Sequence, residues 1–153
     1  MQFSPSIFKA YDIRGVVGRN LTEPVVRGVG ILLGRHMRAR SLSQVVVGRD
    51  GRLSGPSLSS ALCEGFRDAG VDVIDIGQAP TGLTYYGLFT LPVDGGVQIT
   101  GSHNPQEYNG LKIAVGPSTI HGKEIQKLHA IAEAGKFRKA TKPVNLMRMD
   151  LAP

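Results

Sequence analysis

The chain has 153 residues, of which 41% are apolar and 20% charged, with a formal net charge of +6; this is enough for one globular core, and no apolar run is long enough to span a bilayer. Much of the excess charge lies at the C-terminus, where Lys136, Arg138, Lys139, Lys142 and Arg148 face Asp150 alone, and without tryptophan or a basic stripe interleaved with aromatics this argues for a solvated tail and against a nucleic-acid binder. No secretory leader is visible and the single cysteine, Cys63, has no partner, so cytoplasmic residence, with no membrane association, is the expectation.

An extended entry from Ile7 to Ile13 leads to a turn at Arg14-Gly15. Thr22 caps a helix with Pro24 in its first turn, and Val25, Val29, Leu32 or Leu33, and His36 or Met37 recur at helical spacing. Gly28, Gly30 and Gly34 on that helix read as close-packing positions. Val45-Val46-Val47 is a buried strand, and Gly48 to Arg52 a strand-to-helix turn fixed by Asp50 and closed by Gly51. A second helix begins near Gly55-Pro56, buries Leu58, Ala61, Leu62, Phe66 and Ala69, places Cys63 on the same side as an inert thiol, and stops at Gly70. A strand from Val71 to Ile76, a short helix from Thr81 and a strand from Gly96 to Ile99 follow. Asn109-Gly110 reads as a turn before a strand from Leu111 to Val115, and a last helix spans about Gly122 to Ala134. The alternation predicts an α/β fold: a mixed, largely parallel sheet with helices on both faces, and an antiparallel pair where no helix intervenes between Val97 and Val115. The domain is expected over residues 1–138, with 139–153 a linker or frayed tail.

The segment Thr100-Gly101-Ser102-His103-Asn104-Pro105 carries the chemistry. It presents a serine on a tight loop at a strand end, with Gly101 easing the turn and Pro105 stiffening the exit. Hydrolase chemistry fits poorly, because a nucleophile elbow needs glycines two positions either side of the serine and here those are Thr100 and Asn104. Adjacent His103 is also badly placed as the base for Ser102, since neighbouring side chains on extended backbone diverge. Phosphoryl transfer fits better: it asks for positioning, charge neutralisation and a proton carrier. Lys112, Arg14, Arg49 and Arg52 lie on or near segments that end strands, and the Asn109-Gly110 turn would return Lys112 toward the loop. The competing readings are a serine that caps a turn, a His103 that only orients the loop, a solvated Lys112, and an Arg14 paired with Asp12 or Asp50.

Ile7-Phe8-Lys9-Ala10-Tyr11-Asp12-Ile13-Arg14-Gly15, Val47-Gly48-Arg49-Asp50-Gly51-Arg52, Thr100 to Pro105, and Asn109-Gly110-Leu111-Lys112 occur in this order. Together they resemble the N-terminal domain of the α-D-phosphohexomutases, in the bacterial phosphomannomutase/phosphoglucomutase branch, over roughly residues 1 to 138. The resemblance implies that Ser102 carries a phosphate and gives it to a hexose monophosphate through a hexose 1,6-bisphosphate intermediate, which also serves as activator. It implies Mg²⁺ on the phosphoserine, proton transfer by Lys112 and His103, and positioning of substrate or phosphate by Tyr11, Arg14, Asn104 and Arg52. A complete member draws its aspartate-rich metal loop, sugar-recognition loop and phosphate clamp from further domains, and this sequence has no such aspartate cluster. The isolated chain is therefore expected to be inactive and to bind Mg²⁺ poorly. Its expected partners are a phosphosugar and either the missing mutase domains or a second copy meeting the exposed interdomain face. A non-catalytic anion-binding or interaction module built on the same loop is the alternative.

Overall fold

The computed structural model describes Ile7 and residues 13–101, 104–115, 118–119 and 146–148. In chain order these form β1 (Ile13–Val16), α1 (Glu23–Ala39), β2 (Gln44–Arg49), α2 (Gly55–Asp68), β3 (Asp72–Gln78), α3 (Thr81–Thr90), β4 (Gly95–Ile99), β5 (Tyr108–Val115), β6 (Ser118–Thr119) and β7 (Leu146–Arg148). The strands make one mixed sheet in the order β1-β5-β4-β2-β3-β7, with β6 paired to β5. Pairings of β2 with β3, β2 with β4 and β3 with β7 are parallel. Those of β5 with β1, β4 and β6 are antiparallel. The antiparallel pair expected between Val97 and Val115 is present.

The three valines of β2 explain the layers. Side chains alternate along a strand, so Val45 and Val47 enter the core shared with α1 and α2, whereas Val46 packs with Ile74, Ile76 and Ala79 beside Leu83 of α3. A strand buried on both faces needs no polar alternate, which is why the run is continuously apolar. Thr22 caps α1 as expected, its Oγ1 accepting from the Val25 N–H at 3.3 Å, with Glu23 in the first turn and His36 and Arg38 in the last. The buried stripe of α1 is Val26, Val29, Leu32, Leu33 and Met37; Val25 is only partly covered. On α2 it is Leu58, Leu62, Cys63 and Phe66.

The two helices cross at Gly30 and Gly65. A Cβ on Gly30 would stand 2.6 Å from the Leu62 carbonyl oxygen, and one on Gly65 would run into the Arg27 carbonyl. Outside the crossing, Arg27 donates from Nε and Nη2 to Asp68 Oδ2 at 2.9 and 2.6 Å. Gly30 and Gly34 are packing devices, as their sequence context suggested; a Cβ on Gly34 would stand 2.6 Å from that of Ala69.

Arg14-Gly15, expected as a turn, lies inside β1 and pairs with Gly110 and Asn109 of β5, and three further expectations are corrected. Asn109-Gly110 is no turn: both lie inside β5, which begins at Tyr108. Asn109 is buried and donates from Nδ2 to Ser54 Oγ at 2.8 Å, while a Cβ on Gly110 would meet the Ile13 carbonyl oxygen of β1 at 2.5 Å. The pair serves a side-chain bridge and a close strand approach, two uses that share the signature of a turn. Second, β3 runs two residues beyond Ile76. Its register against β2 shifts between Val47 and Gly48, and Gly77 takes a positive φ of 74° with its N–H on Asp75 Oδ1 at 2.8 Å. Third, the segment 139–153, read as a tail, contributes β7 to the sheet edge. Three residues are too few for an alternating pattern, and an open edge of β3 can recruit backbone whatever its side chains. The expected helix from Gly122 to Ala134 lies outside the described residues.

Candidate functional site

Because β1 and β4 each run antiparallel to β5, and β4 runs parallel to β2, the strands β1, β2 and β4 all point the same way. Their carboxyl ends form one edge of the sheet, the usual place for a ligand in an open α/β sheet. The loop after β2 and the loop after β4 meet there. Ser102, His103 and Tyr11 lie outside the described residues, so the site is built from what flanks them.

Thr100 and Gly101, immediately before the serine, are held by Asp50. One carboxylate oxygen accepts from Thr100 Oγ1 at 2.8 Å and from the Gly101 N–H at 3.2 Å; the other accepts from the Arg52 N–H at 3.1 Å. The Asp50 N–H donates to the Ile99 carbonyl and the Thr100 N–H to that of Gly110, both at 2.9 Å. Asp50 thus fixes its own turn, as the sequence suggested, and also the start of the neighbouring loop, which it did not.

Residues after the serine are held by Arg52, expected from the resemblance to meet phosphate. Its guanidinium is directed at the loop's backbone: Nη1 donates to the carbonyls of Pro105 at 2.7 Å and Tyr108 at 3.0 Å, and Nη2 to that of Asn104 at 2.8 Å. Its Nε stands 3.7 Å from Asp50 Oδ2. The guanidinium fills the space beside Gly101, where any Cβ would run into it. Asn104 closes the loop on itself, donating from its backbone N–H and from Nδ2 to the Gly101 carbonyl at 3.0 and 2.9 Å. The Tyr108 N–H donates to the Pro105 carbonyl at 3.0 Å. The turn into β5 is therefore at Pro105 to Tyr108.

Arg14 and Lys112 share one sheet face. Ile13 pairs with Leu111, and Leu111 and Ile113 belong to the core under α1 and α2. By alternation, Arg14, opposite Gly110, and Lys112, opposite Gln98, project from the other face. They are diagonal neighbours across β1 and β5. Lys112 lies one pair inward of the sheet edge, whose last β4 pair is Ile99 with Leu111; it is not brought round by a turn at Asn109. Arg49, a further expected cation, sits 3.8 Å from Asp75.

Gln98, which sequence reasoning passed over, is fully buried beside Lys112. It donates from Nε2 to the Ala79 carbonyl at 2.8 Å and accepts from Thr84 Oγ1, tying the start of α3 to β4. Both groups press on Gly48, where a Cβ would stand 2.6 Å from Gln98 Oε1. An amide in an otherwise apolar strand was the available signal, because buried polar groups require partners. Among the described residues no three His, Cys, Asp or Glu side chains group to hold a metal, and both Asp50 oxygens accept from the protein. The described residues do not fit a magnesium site. A cavity of about 700 Å³ between α1 and α2, lined by Glu23, Arg27, Ser57 and Glu64 among others, includes none of the expected site residues.

The comparisons with known proteins agree with this architecture. A family model described as phosphoglucomutase/phosphomannomutase, alpha/beta/alpha domain I, matches residues 5–139. The chain is 43% identical over 148 residues to a phosphomannomutase/phosphoglucomutase of Pseudomonas aeruginosa, covering 97% of this chain and 32% of that one. It is 40% identical over 146 residues to a phosphoglucomutase of Neisseria meningitidis, covering 95% and 32%. A crystal structure of a phosphoglucomutase/phosphomannomutase family protein from Burkholderia thailandensis superposes with a TM-score of 0.92 at 42% identity, over 98% of this chain and 34% of that one. The chain spans about a third of the length of the curated relatives it matches.

Proposed function

Since the chain belongs to the phosphoglucomutase/phosphomannomutase family, matching its domain I, we propose that it is the phosphoserine-bearing domain of a mutase that interconverts hexose 1- and 6-phosphates. Ser102 Oγ carries the phosphoryl group. In the forward step the Oγ–P bond breaks as a sugar hydroxyl oxygen bonds to phosphorus; the hydroxyl proton passes to a base, and the departing Ser102 Oγ takes up a proton. In the return step Ser102 Oγ gives up that proton and bonds to the other phosphorus of the bisphosphate as the bond from that phosphorus to its sugar oxygen breaks, and the sugar oxygen takes up a proton. Lys112 and His103 are the proposed proton carriers; Tyr11 and Arg14 position the phosphate or the sugar. A phosphoserine carries about −1.5 to −2 charges at neutral pH, and Arg14 with Lys112 supplies two cations on one sheet face to meet it.

The observation that carries this reading is the bracing of the Ser102 loop. Its two shoulders, Gly101 and Asn104, are fixed at the carboxyl edge of the sheet by Asp50 and Arg52, as phosphoryl transfer by positioning requires. Mg²⁺ would need carboxylates from elsewhere in a longer polypeptide, since the described residues offer no set for it. When bound there it would neutralise charge on the transferring phosphate. The test is a hybrid enzyme in which this chain replaces the matching third of the Pseudomonas aeruginosa relative. It should interconvert glucose 1- and 6-phosphates and take up one phosphate at Ser102, and Ser102→Ala should lose both. Phosphate found by mass spectrometry on another residue would refute the assignment.

A further inference from the structure

We propose that Arg52 is a positioning residue for the Ser102 loop rather than a phosphate ligand, and that Asp50 neutralises it so that the clamp supplies shape without charge. Three observations carry this. The planar guanidinium serves three backbone carbonyls within five residues, those of Asn104, Pro105 and Tyr108. Arginine can hold several acceptors in a fixed fork, whereas a lysine ammonium is a point charge on a flexible stem. Both Nη1 hydrogens and one on Nη2 are given to these carbonyls, and so are withheld from an anion on the same loop.

The clamp is also matched to its neighbour. Gly101 leaves open the space that the guanidinium occupies. Arginine at 52 and glycine at 101 are one fitted pair, separated in sequence but joined in space. Finally, Asp50 lies 3.7 Å from Arg52 Nε and accepts from Thr100 and Gly101. The cation and the anion of the β2–α2 loop therefore hold opposite sides of residues 102–103, with their charges offset. Attraction for phosphate is left to other cations, and the clamp fixes the backbone at Gly101 and Asn104 on either side of the serine.

The first test uses the ¹⁵N-labelled chain and amide hydrogen exchange. In the wild type the N–H groups of Gly101, Asn104 and Tyr108, all internally bonded, are expected to exchange slowly. Arg52→Lys keeps the charge and loses the fork; those three amides should exchange about tenfold faster or more, while Val46, Val97 and Ile113 in the sheet keep their protection. Unchanged protection of the loop in the lysine variant overturns the proposal. Should the sheet amides lose protection too, Gly101→Ala replaces it: arginine and charge remain, the space for the guanidinium is filled, and the same three amides are read by the same criterion.

The link to chemistry rests on the phosphoserine reading and is tested in the hybrid enzyme. Arg52→Lys should lower kcat about ten- to a hundredfold, with KM for the hexose phosphate near the wild-type value, because misplacement of a reacting group acts on the transfer step. An unchanged kcat overturns the positioning role. Ser102→Ala keeps the two readings apart: if that variant still interconverts hexose phosphates, the serine assignment falls, while the exchange result continues to judge the clamp.

Discussion

At the scale of single residues, the polar groups near the serine loop are saturated by one another, which makes their removal costly in a predictable direction. Gln98→Leu would leave the Ala79 carbonyl and the Thr84 hydroxyl without a partner inside the sheet–α3 interface. An orphaned buried group costs about 1–3 kcal/mol, so a loss of that order is expected in the chemical denaturation midpoint. Adding Thr84→Val should recover part of it by removing one orphan; strictly additive losses would show that the two side chains do not interact. Asn109-Gly110 shows why this scale was only partly legible. The dipeptide signals a turn because asparagine and glycine tolerate tight backbone, yet here one contributes an amide to Ser54 and the other the absence of a Cβ beside Ile13. Both uses depend on which strand and helix come alongside, and local sequence does not contain that. Asp50 was read correctly for its own turn and missed as the anchor of Thr100 for the same reason.

At the scale of elements, legibility followed periodicity. The helices α1 and α2 and the strands β2 and β4 repeat their apolar residues over enough positions to declare type and buried face, and Thr22 and Gly70 punctuate them with caps and stops. β7 failed because three residues at a sheet edge carry no period. The helix crossing was foreshadowed by the glycines of α1, but its partner, Gly65, became visible only with the two helices in place. Gly65→Ala would push a methyl group into the Arg27 carbonyl. Overpacking of this kind costs about 1–3 kcal/mol, and equilibrium denaturation should show a lower midpoint with an unchanged slope. A stability equal to the wild type would mean that the helices can part without loss. Cys63, on the buried face of α2, should resist a thiol reagent in the native state and react once the helix is unfolded.

At the scale of the whole molecule, the relation to the longer relatives sets the expectation for activity. The purified 153-residue chain should show no turnover of glucose or mannose phosphates in a coupled assay, because the described residues offer no group of metal ligands; robust interconversion by this chain alone would overturn the view that its site is one part of a larger one. Among the described residues no helix is long and apolar enough to cross a membrane, and the exposed large apolar side chains are Leu53 and Tyr86, on the β2–α2 loop and α3. The contacts that brace the serine loop have a further consequence, for the time course of folding. They join residues 50 to 56 positions apart in the chain. Contacts this distant form only after the intervening chain has closed. During synthesis the β2–α2 loop emerges long before its partner, and its carboxylate and guanidinium remain hydrated until β4 and β5 join the sheet. Order in the reactive loop therefore arrives late, and a probe placed there would report completion of the fold rather than its beginning.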